Sequence, residues 1–593
     1  MKLISDLSVI NTKICNGKEN RASIIMKRLY QLNINIMKKA FFLFLIYFGS
    51  LGLTGQSPDL KNLIDSIVKI NVTNESPGLV VGVVKDGNIL YKHTYGLANL
   101  DYRIPVTDST VFNLCSVSKE FTAFLILMLE KEGKLNLDDT IQKYIPETKN
   151  YGHPITIRQL LHHTSGIPSS DNILLFAGHS LDMPWDSEDE FNMIQTYPKL
   201  NFEPNREHDY SNTGYVLLAL IIEKVTGQSF SQYIKERIFQ PLNMKSAVIY
   251  DSPGKIILNR ASGYRLSGKT FSKTNTEGES YYGSTNVYVS VNDMINWSTN
   301  LITHSLGGKQ LADKQINPVD TLNNGDTIRY TYGFSVWNHR GLKIVDHGGF
   351  SSGFRTHITW VPEAGLAVFV LSNNENIDPK NIVMNIVDWT MKDLLKPETK
   401  VEHKEIAINN GLTQLYEGSF IFTDGMVLKF DNTNDTLKLI IPGAPKFIMY
   451  PEKDNEFFLK DFDAQCTFVK DSKGKVNEVV WHQNGQDHKG VRYIIPKPLT
   501  QKDLQTFTGK YEIPELSITY PVTLKDNELF ITLPKAFKQV NIDPNMKISH
   551  LSGDKFMGSL GIITFKRSKE GRVTGFVVED IGRLKNIEFR RKN

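Results

Sequence analysis

"LCSVSKEFTAFLILMLEKEGK", residues 114–134, sets a serine and a lysine three residues apart at the start of an almost unbroken apolar run. The run predicts a helix over 116–131, closed by Gly133, and a helix that is apolar all round has to be buried. Side chains three apart on a helix are neighbours, with Cβ atoms about 5–6 Å apart, so Ser116 and Lys119 meet at the exposed start. Unpaired N–H groups and the positive dipole end gather there and favour a developing negative charge. A lysine drawn out of water loses proton affinity and can take a proton from a hydroxyl. The spacing alone proves little, since it recurs at Ser66, Ser252, Ser472 and Ser552. A capping serine followed by a snorkelling lysine would spell the same letters.

Further along, "HDYSNTGY" (208–215) places Tyr210 and Asn212 just before a second apolar helix that ends at Gly227. A tyrosine near cations can shuttle a proton to and from a serine, and an asparagine can orient a substrate amide. The plainer reading packs Tyr210 and uses Ser211 or Asn212 as a cap. In "VDHGGF" (345–350), His347, Gly348 and Gly349 end a strand, where glycines permit an extended substrate to approach the backbone. An isolated histidine in a strand can equally be a packing residue. "GFSSG" (349–353) imitates a nucleophile elbow, but that device needs a helix after the turn, and "FRTHITWVP" has a strand pattern. The adjacent histidines of "LLHHTSGIP" (160–168) lack partners at metal-ligand spacing and read as a structural loop.

At 593 residues the chain is too long for one core; hydrophobic content of 40%, charge of 22% and a net charge of +4 describe folded protein with no basic block for nucleic acid. "MKKAFFLFLIYFGSLGLTGQS" from Met37 carries the Lys38/Lys39 pair, an apolar core and small residues near Gly55. It reads as a signal peptide over 37–55, too short and glycine-broken to span a membrane. Residues 1–36, with Cys15, have no place in such a peptide, and the start is expected at Met37. Cys115 and Cys466 remain, too far apart in sequence to suggest a disulfide scaffold.

Helical and strand patterns alternate over 56–398, including a hairpin about Asp86-Gly87 and another from Thr356. After the charged linker 396–405 the pattern becomes short strands and turns. "YEGSF" at Tyr416, "LKLIIP" at Leu437 and "TFVKDSKGKVNEVV" at Thr467 are echoed by "TGKYE" at Thr508, "LFITLP" at Leu529 and "TFKRSKEGRVTGFV" at Thr564. Two copies of one β unit, 406–497 and 498–593, are expected, each with about eight strands and closed into an antiparallel barrel that protects its edges.

Taken in order, Ser116/Lys119, Tyr210/Asn212 and His347/Gly349 resemble the serine β-lactamase and penicillin-binding-protein family, class C branch, over roughly Leu60 to Asn374. The resemblance implies an α+β fold: an antiparallel sheet flanked by helices, with an all-helical subdomain, followed here by two lipocalin-like barrels. It also implies that Ser116 is acylated, that Lys119 and Tyr210 share the proton transfers, and that Asn212, His347 and Gly349 contact substrate. The N–H groups of Ser116 and Phe350 would form the oxyanion hole, with neither metal nor organic cofactor. Where class C enzymes have a lysine, this chain has His347, expected to give only a weak, pH-dependent positive charge to a substrate carboxylate. His-x-Gly at this place, with two C-terminal barrels, is similar to D-aminopeptidases. The expected function is an exported, periplasmic or secreted bacterial serine hydrolase acting on D-amino-acid peptide amides, small esters or cell-wall-derived substrates. Its expected membrane contact is through the signal peptide alone. A carboxylesterase is the alternative within enzymes; a penicillin- or peptide-binding sensor that acylates without turnover is the alternative outside them.

Overall fold

The computed structural model describes residues 58–592 apart from short segments at 181–182, 275–277, 318–319, 398–402, 409–410, 423–424, 442–444, 484–485 and 495. The expected N-terminal extension, Cys15, the signal segment and the middle of the linker lie outside the described residues.

The central sheet has six antiparallel strands. Along the chain these are β1 (Leu79–Lys85), β2 (Asn88–Tyr95), β3 (Ser335–His339), β4 (Leu342–Ser351), β5 (Phe354–Val361) and β6 (Leu366–Ser372), and across the sheet they run β3-β4-β5-β6-β1-β2. Asp86 and Gly87 turn β1 into β2 with φ of 51° and 78°, the paired positive values a two-residue type I′ hairpin needs. Five long helices accompany the sheet: α1 (Pro58–Val68), α2 (Lys119–Lys131), α3 (Asn212–Thr226), α4 (Val291–Thr303) and α5 (Pro379–Thr390). Strand β1 is apolar and buried from Leu79 to Val84 because both its faces are covered. Leu79, Val81 and Val83 pack with residues of α1 and α5, while Val80 and Val84 join the core of α2, α3 and α4.

Beyond the linker, nine strands between Gly418 and Tyr493 form one sheet, and eight strands between Gly509 and Arg591 form a closed barrel. The first repeat is thus nearly closed, where a closed barrel was expected. Its edges are the consecutive short strands Lys446–Ile448 and Tyr450–Pro451. Pro451 has no N–H to give to a ladder, which suits an edge strand. The second barrel does not hold its core alone. Ile173, Leu175 and Phe176, from the helix Ser170–Phe176, and Tyr197 are buried in the same apolar cluster as Phe507, Tyr520, Phe537 and Phe589. The Phe176 ring lies 5.1 Å from that of Phe537, and the Tyr520 hydroxyl donates to the Phe176 carbonyl.

Candidate active site

Helix α2 begins one turn later than the sequence pattern predicts. Cys115–Ser118 forms a 3₁₀ turn, and the α-helix starts at Lys119. In a 3₁₀ turn residues i and i+3 eclipse, which puts Lys119 directly over Ser116. Residues Lys119 through Leu129 are all buried, so the apolar run does anchor the turn. Just before the serine, Cys115 takes φ of 50°, a costly conformation for a residue with a Cβ. It is held there by a bond from its N–H to Asn113 Oδ1 (2.8 Å) and by strand β4 behind it. A Cβ built on Gly349 would stand 2.4 Å from the Leu114 carbonyl oxygen and 2.9 Å from Cys115 Cβ, so only glycine lets β4 pass this turn.

Lys119 is fully buried, and its Nζ reaches three oxygens: Asn212 Oδ1 at 2.9 Å, the Ser284 carbonyl at 2.9 Å and Ser116 Oγ at 3.4 Å. Burial pushes its pKa well below the ordinary lysine range, and the charge of Arg583 pushes it the same way. A neutral amine has two N–H donors and one lone pair. With both donors on the two carbonyls, a neutral Lys119 can accept a proton from Ser116 Oγ; the protonated amine donates to it instead.

Tyr210 precedes α3 and lies with its ring centroid 4.7 Å from Lys119 Nζ. Its hydroxyl is buried with no partner in hydrogen-bonding geometry among the described residues. Burial raises its phenol above the ordinary range, opposed by the nearby Ser116 hydroxyl and by Arg583. It therefore stays protonated at neutral pH. Ser211, not Asn212, is the N-cap residue, and its side chain makes no capping bond. Asn212 instead gives its carbonyl to Lys119.

His347 lies in β4 with both ring nitrogens engaged, Nε2 with the Tyr330 hydroxyl at 2.9 Å and Nδ1 with the Gly348 carbonyl at 2.7 Å. Burial lowers its pKa to about 3, and Lys119 adds to that shift. The expected pH-dependent positive charge is corrected: the imidazole is neutral, because it is desolvated and lies near Lys119, and the bond to the Gly348 carbonyl offsets this only in part.

Ser116, Tyr210, Asn212, His347, Gly349 and Phe350 line one cleft of about 1200 Å³, and Lys119 backs it through Ser116. Ser351 follows on the same strand, bonded to Glu279 (3.1 Å), and the chain turns at Ser352 straight into β5. The nucleophile-elbow geometry is absent there. Glu279, also on the cleft, has its carboxyl raised to about 6 by burial.

The sequence reading passed over several neighbours. His163, which reads in the sequence as part of a structural loop, lies under Tyr210 with ring centroids 4.2 Å apart. It accepts a bond from the Ser211 N–H at Nδ1 (3.2 Å), and its carbonyl accepts from the Asp209 N–H (3.0 Å). Both flanks of Tyr210 are therefore fixed by one residue. The double histidine was the available signal, although its partners were sought at metal-ligand spacing; among the described residues no cluster of three or more possible metal ligands exists. Tyr330, Ser284, Asp171 and Arg583 had no local signal at all.

The Beta-lactamase family model matches residues 60–389. Penicillin-binding protein 4* of Bacillus subtilis (strain 168) is 29% identical over 431 residues, which cover 68% of this chain and 93% of that protein. Protein flp of Staphylococcus aureus (strain MW2) is 30% identical over 333 residues, covering 54% of this chain and 65% of that one. Among solved structures, the octameric penicillin-binding protein homologue from Pyrococcus abyssi matches with a TM-score of 0.51 and 22% identity, over 80% of this chain and 98% of its own. That last likeness is one of fold.

Proposed function

We propose, from the premise that the chain belongs to the Beta-lactamase family and is a serine hydrolase, that it is exported and that Ser116 forms an acyl-enzyme on D-amino-acid peptide amides or small esters. The observation that carries this reading is the buried Lys119 amine 3.4 Å from Ser116 Oγ, with its other two polar contacts made to carbonyl oxygens.

In acylation Ser116 Oγ attacks the substrate carbonyl carbon, and its proton passes to Lys119 Nζ. The carbonyl oxygen gains the charge and is received by the N–H groups of Ser116 and Phe350, at the start of α2 where the dipole is positive. Collapse of the tetrahedral centre breaks the bond to the leaving amine or alcohol. Tyr210, protonated and facing Ser116, gives the leaving atom its proton and recovers one from Lys119. Water then attacks the acyl carbon and gives its proton to Lys119, the bond to Ser116 Oγ breaks, and Ser116 takes that proton back as the acid is freed. Asn212 offers its side-chain N–H₂ to the substrate amide, since its carbonyl is held by Lys119.

A neutral imidazole at the third motif means that strand β4 itself offers no cation to a substrate carboxylate, unlike the lysine of class C enzymes. The cleft volume also suits more than a single amino acid. Labelling with a fluorescent fluorophosphonate, compared between wild type and Ser116→Ala, tests the acyl-enzyme; a folded wild-type protein that takes no label overturns it. Turnover of p-nitrophenyl acetate against D-alanine p-nitroanilide then separates esterase from amidase, and label without turnover of either marks a sensor.

A further inference from the structure

The cleft has a wall that the β-lactamase-type lobe does not supply. Gln539, Val540, Asn541 and Arg583 line it from the second barrel. Arg583 lies between the last two strands, Val573–Asp580 and Lys585–Arg591. Its carbonyl accepts the Ser169 N–H (3.1 Å) and Asn201 Nδ2 (3.0 Å), while the Lys585 N–H donates to Asn201 Oδ1 (2.9 Å) and Lys585 Nζ pairs with Glu207 (2.7 Å). The backbone of this turn is thus bolted to loops that precede Tyr210 in the chain. Its side chain is differently placed. The guanidinium carbon is 4.7 Å from the Tyr210 ring centroid, and the side chain is 43% exposed to the cleft. Its nearest charge partner, Asp171, is 3.7 Å away, beyond hydrogen-bonding distance. Among the described residues no acceptor meets any of its N–H groups.

The other two arginines on this cleft are committed: Arg265 donates to Glu375 (2.8 Å), and Arg355 donates to the Glu375 carbonyl (2.8 Å) and covers the Phe350 ring. Lys273, 3.8 Å from Asp101, is no more closely paired than Arg583, but it is a point charge without a planar fork. A planar fork of five donors, unfilled and set over Tyr210 on the cleft that Ser116 also lines, is a receptor for a planar anion.

We propose that Arg583 makes the second barrel part of the substrate site, by binding a carboxylate of the substrate in the place where the third motif offers only a neutral histidine. This rests on the reading of the cleft as a hydrolase site, and it names the substrate class: acyl-D-amino acids and short peptides or depsipeptides that end in a free carboxylate. A charge-assisted, two-pronged contact of this kind gives a preference of about 10- to 100-fold over the uncharged isostere.

The test uses the full chain and equilibrium binding, so that it does not depend on turnover. Calorimetry compares N-acetyl-D-alanine with N-acetyl-D-alaninamide on wild type, Arg583→Ala and Arg583→Lys. Wild type should prefer the carboxylate by 10-fold or more, Arg583→Lys should keep part of that preference, and Arg583→Ala should bring the ratio to about one. A barrel residue that merely docks the lobes would change both affinities together and leave the ratio alone. Absence of a carboxylate preference in wild type, or its survival in Arg583→Ala, overturns the proposal. Failure of fluorophosphonate to label wild type would instead overturn the acyl-enzyme reading, and the binding ratio would still decide the role of Arg583.

Discussion

Replacing Gly349 by alanine tests whether strand β4 holds Ser116 in place. The new Cβ would come to 2.4 Å from the Leu114 carbonyl oxygen and 2.2 Å from Thr356 Oγ1. The threonine could rotate, although it would give up its 2.8 Å bond to that same Leu114 carbonyl. The carbonyl belongs to the backbone one residue before Cys115, whose positive φ leaves it little freedom. The turn must therefore retreat by roughly half an ångström or more, and it carries Ser116 away from Lys119. Starting from 3.4 Å, a contact already at the long end of hydrogen bonding, such a shift removes the proton path. Displacements near 1 Å cost about 10²-fold in rate, so the expected loss in the second-order rate of fluorophosphonate acylation is roughly 10- to 100-fold. Far-UV circular dichroism should be unchanged, because the central sheet is registered elsewhere by β1, β5 and β6. An alanine variant that acylates within threefold of wild type would refute the view that β4 abuts the nucleophile turn.

Lys119→Met should lower acylation by about 10²- to 10⁴-fold and Tyr210→Phe by a comparable factor, with His347→Ala far less damaging; equal losses in all three would show His347 to move protons. The pH–rate profile of acylation should fall as pH drops through the lowered pKa of Lys119, since the protonated amine has no lone pair, and should not turn down on the alkaline side until above the ordinary phenol range, because Tyr210 is raised. A rate that does not change on the acid side would sink the assignment of Lys119 as base. Phe176→Ala, in the catalytic lobe but buried in the barrel cluster, should cost about 3–5 kcal/mol in the unfolding of the second barrel, read by chemical denaturation; a barrel that unfolds as in wild type would show that the plug carries no load.

What could be read in the sequence was local. Ser116 and Lys119 are three apart, and the apolar run after them carries its own evidence of burial. The Asp86-Gly87 turn and the barrel repeat are likewise written in contiguous letters. The helix start was missed by a turn because the 3₁₀ geometry depends on Cys115, whose strained φ is imposed by Asn113 and by a strand more than two hundred residues away. The charge state of His347 was missed for a related reason: the letter H says nothing of burial or of a Tyr330 hydroxyl on its second nitrogen. Arg583 was invisible, since nothing near it in sequence touches the site. "GFSSG" shows the opposite error, a local pattern that the long-range context of two adjacent strands cancels.

The shared core of Phe176 and the bolted turn at Arg583 also bear on the order in which the protein comes into being. Synthesis runs from the first residue to the last, and a lobe can fold once its own strands and helices have emerged. Strand β6 and helix α5 complete the central sheet long before the final hairpin is made. Arg583 and its turn, however, belong to the last strands of the chain. A nascent or truncated chain can therefore carry the Ser116–Lys119 pair with one wall of its cleft missing and with Phe176 bare. The far wall of the cleft and the cover for Phe176 therefore wait for the second barrel, and a chain cut before it would carry an open cleft and a sticky apolar helix.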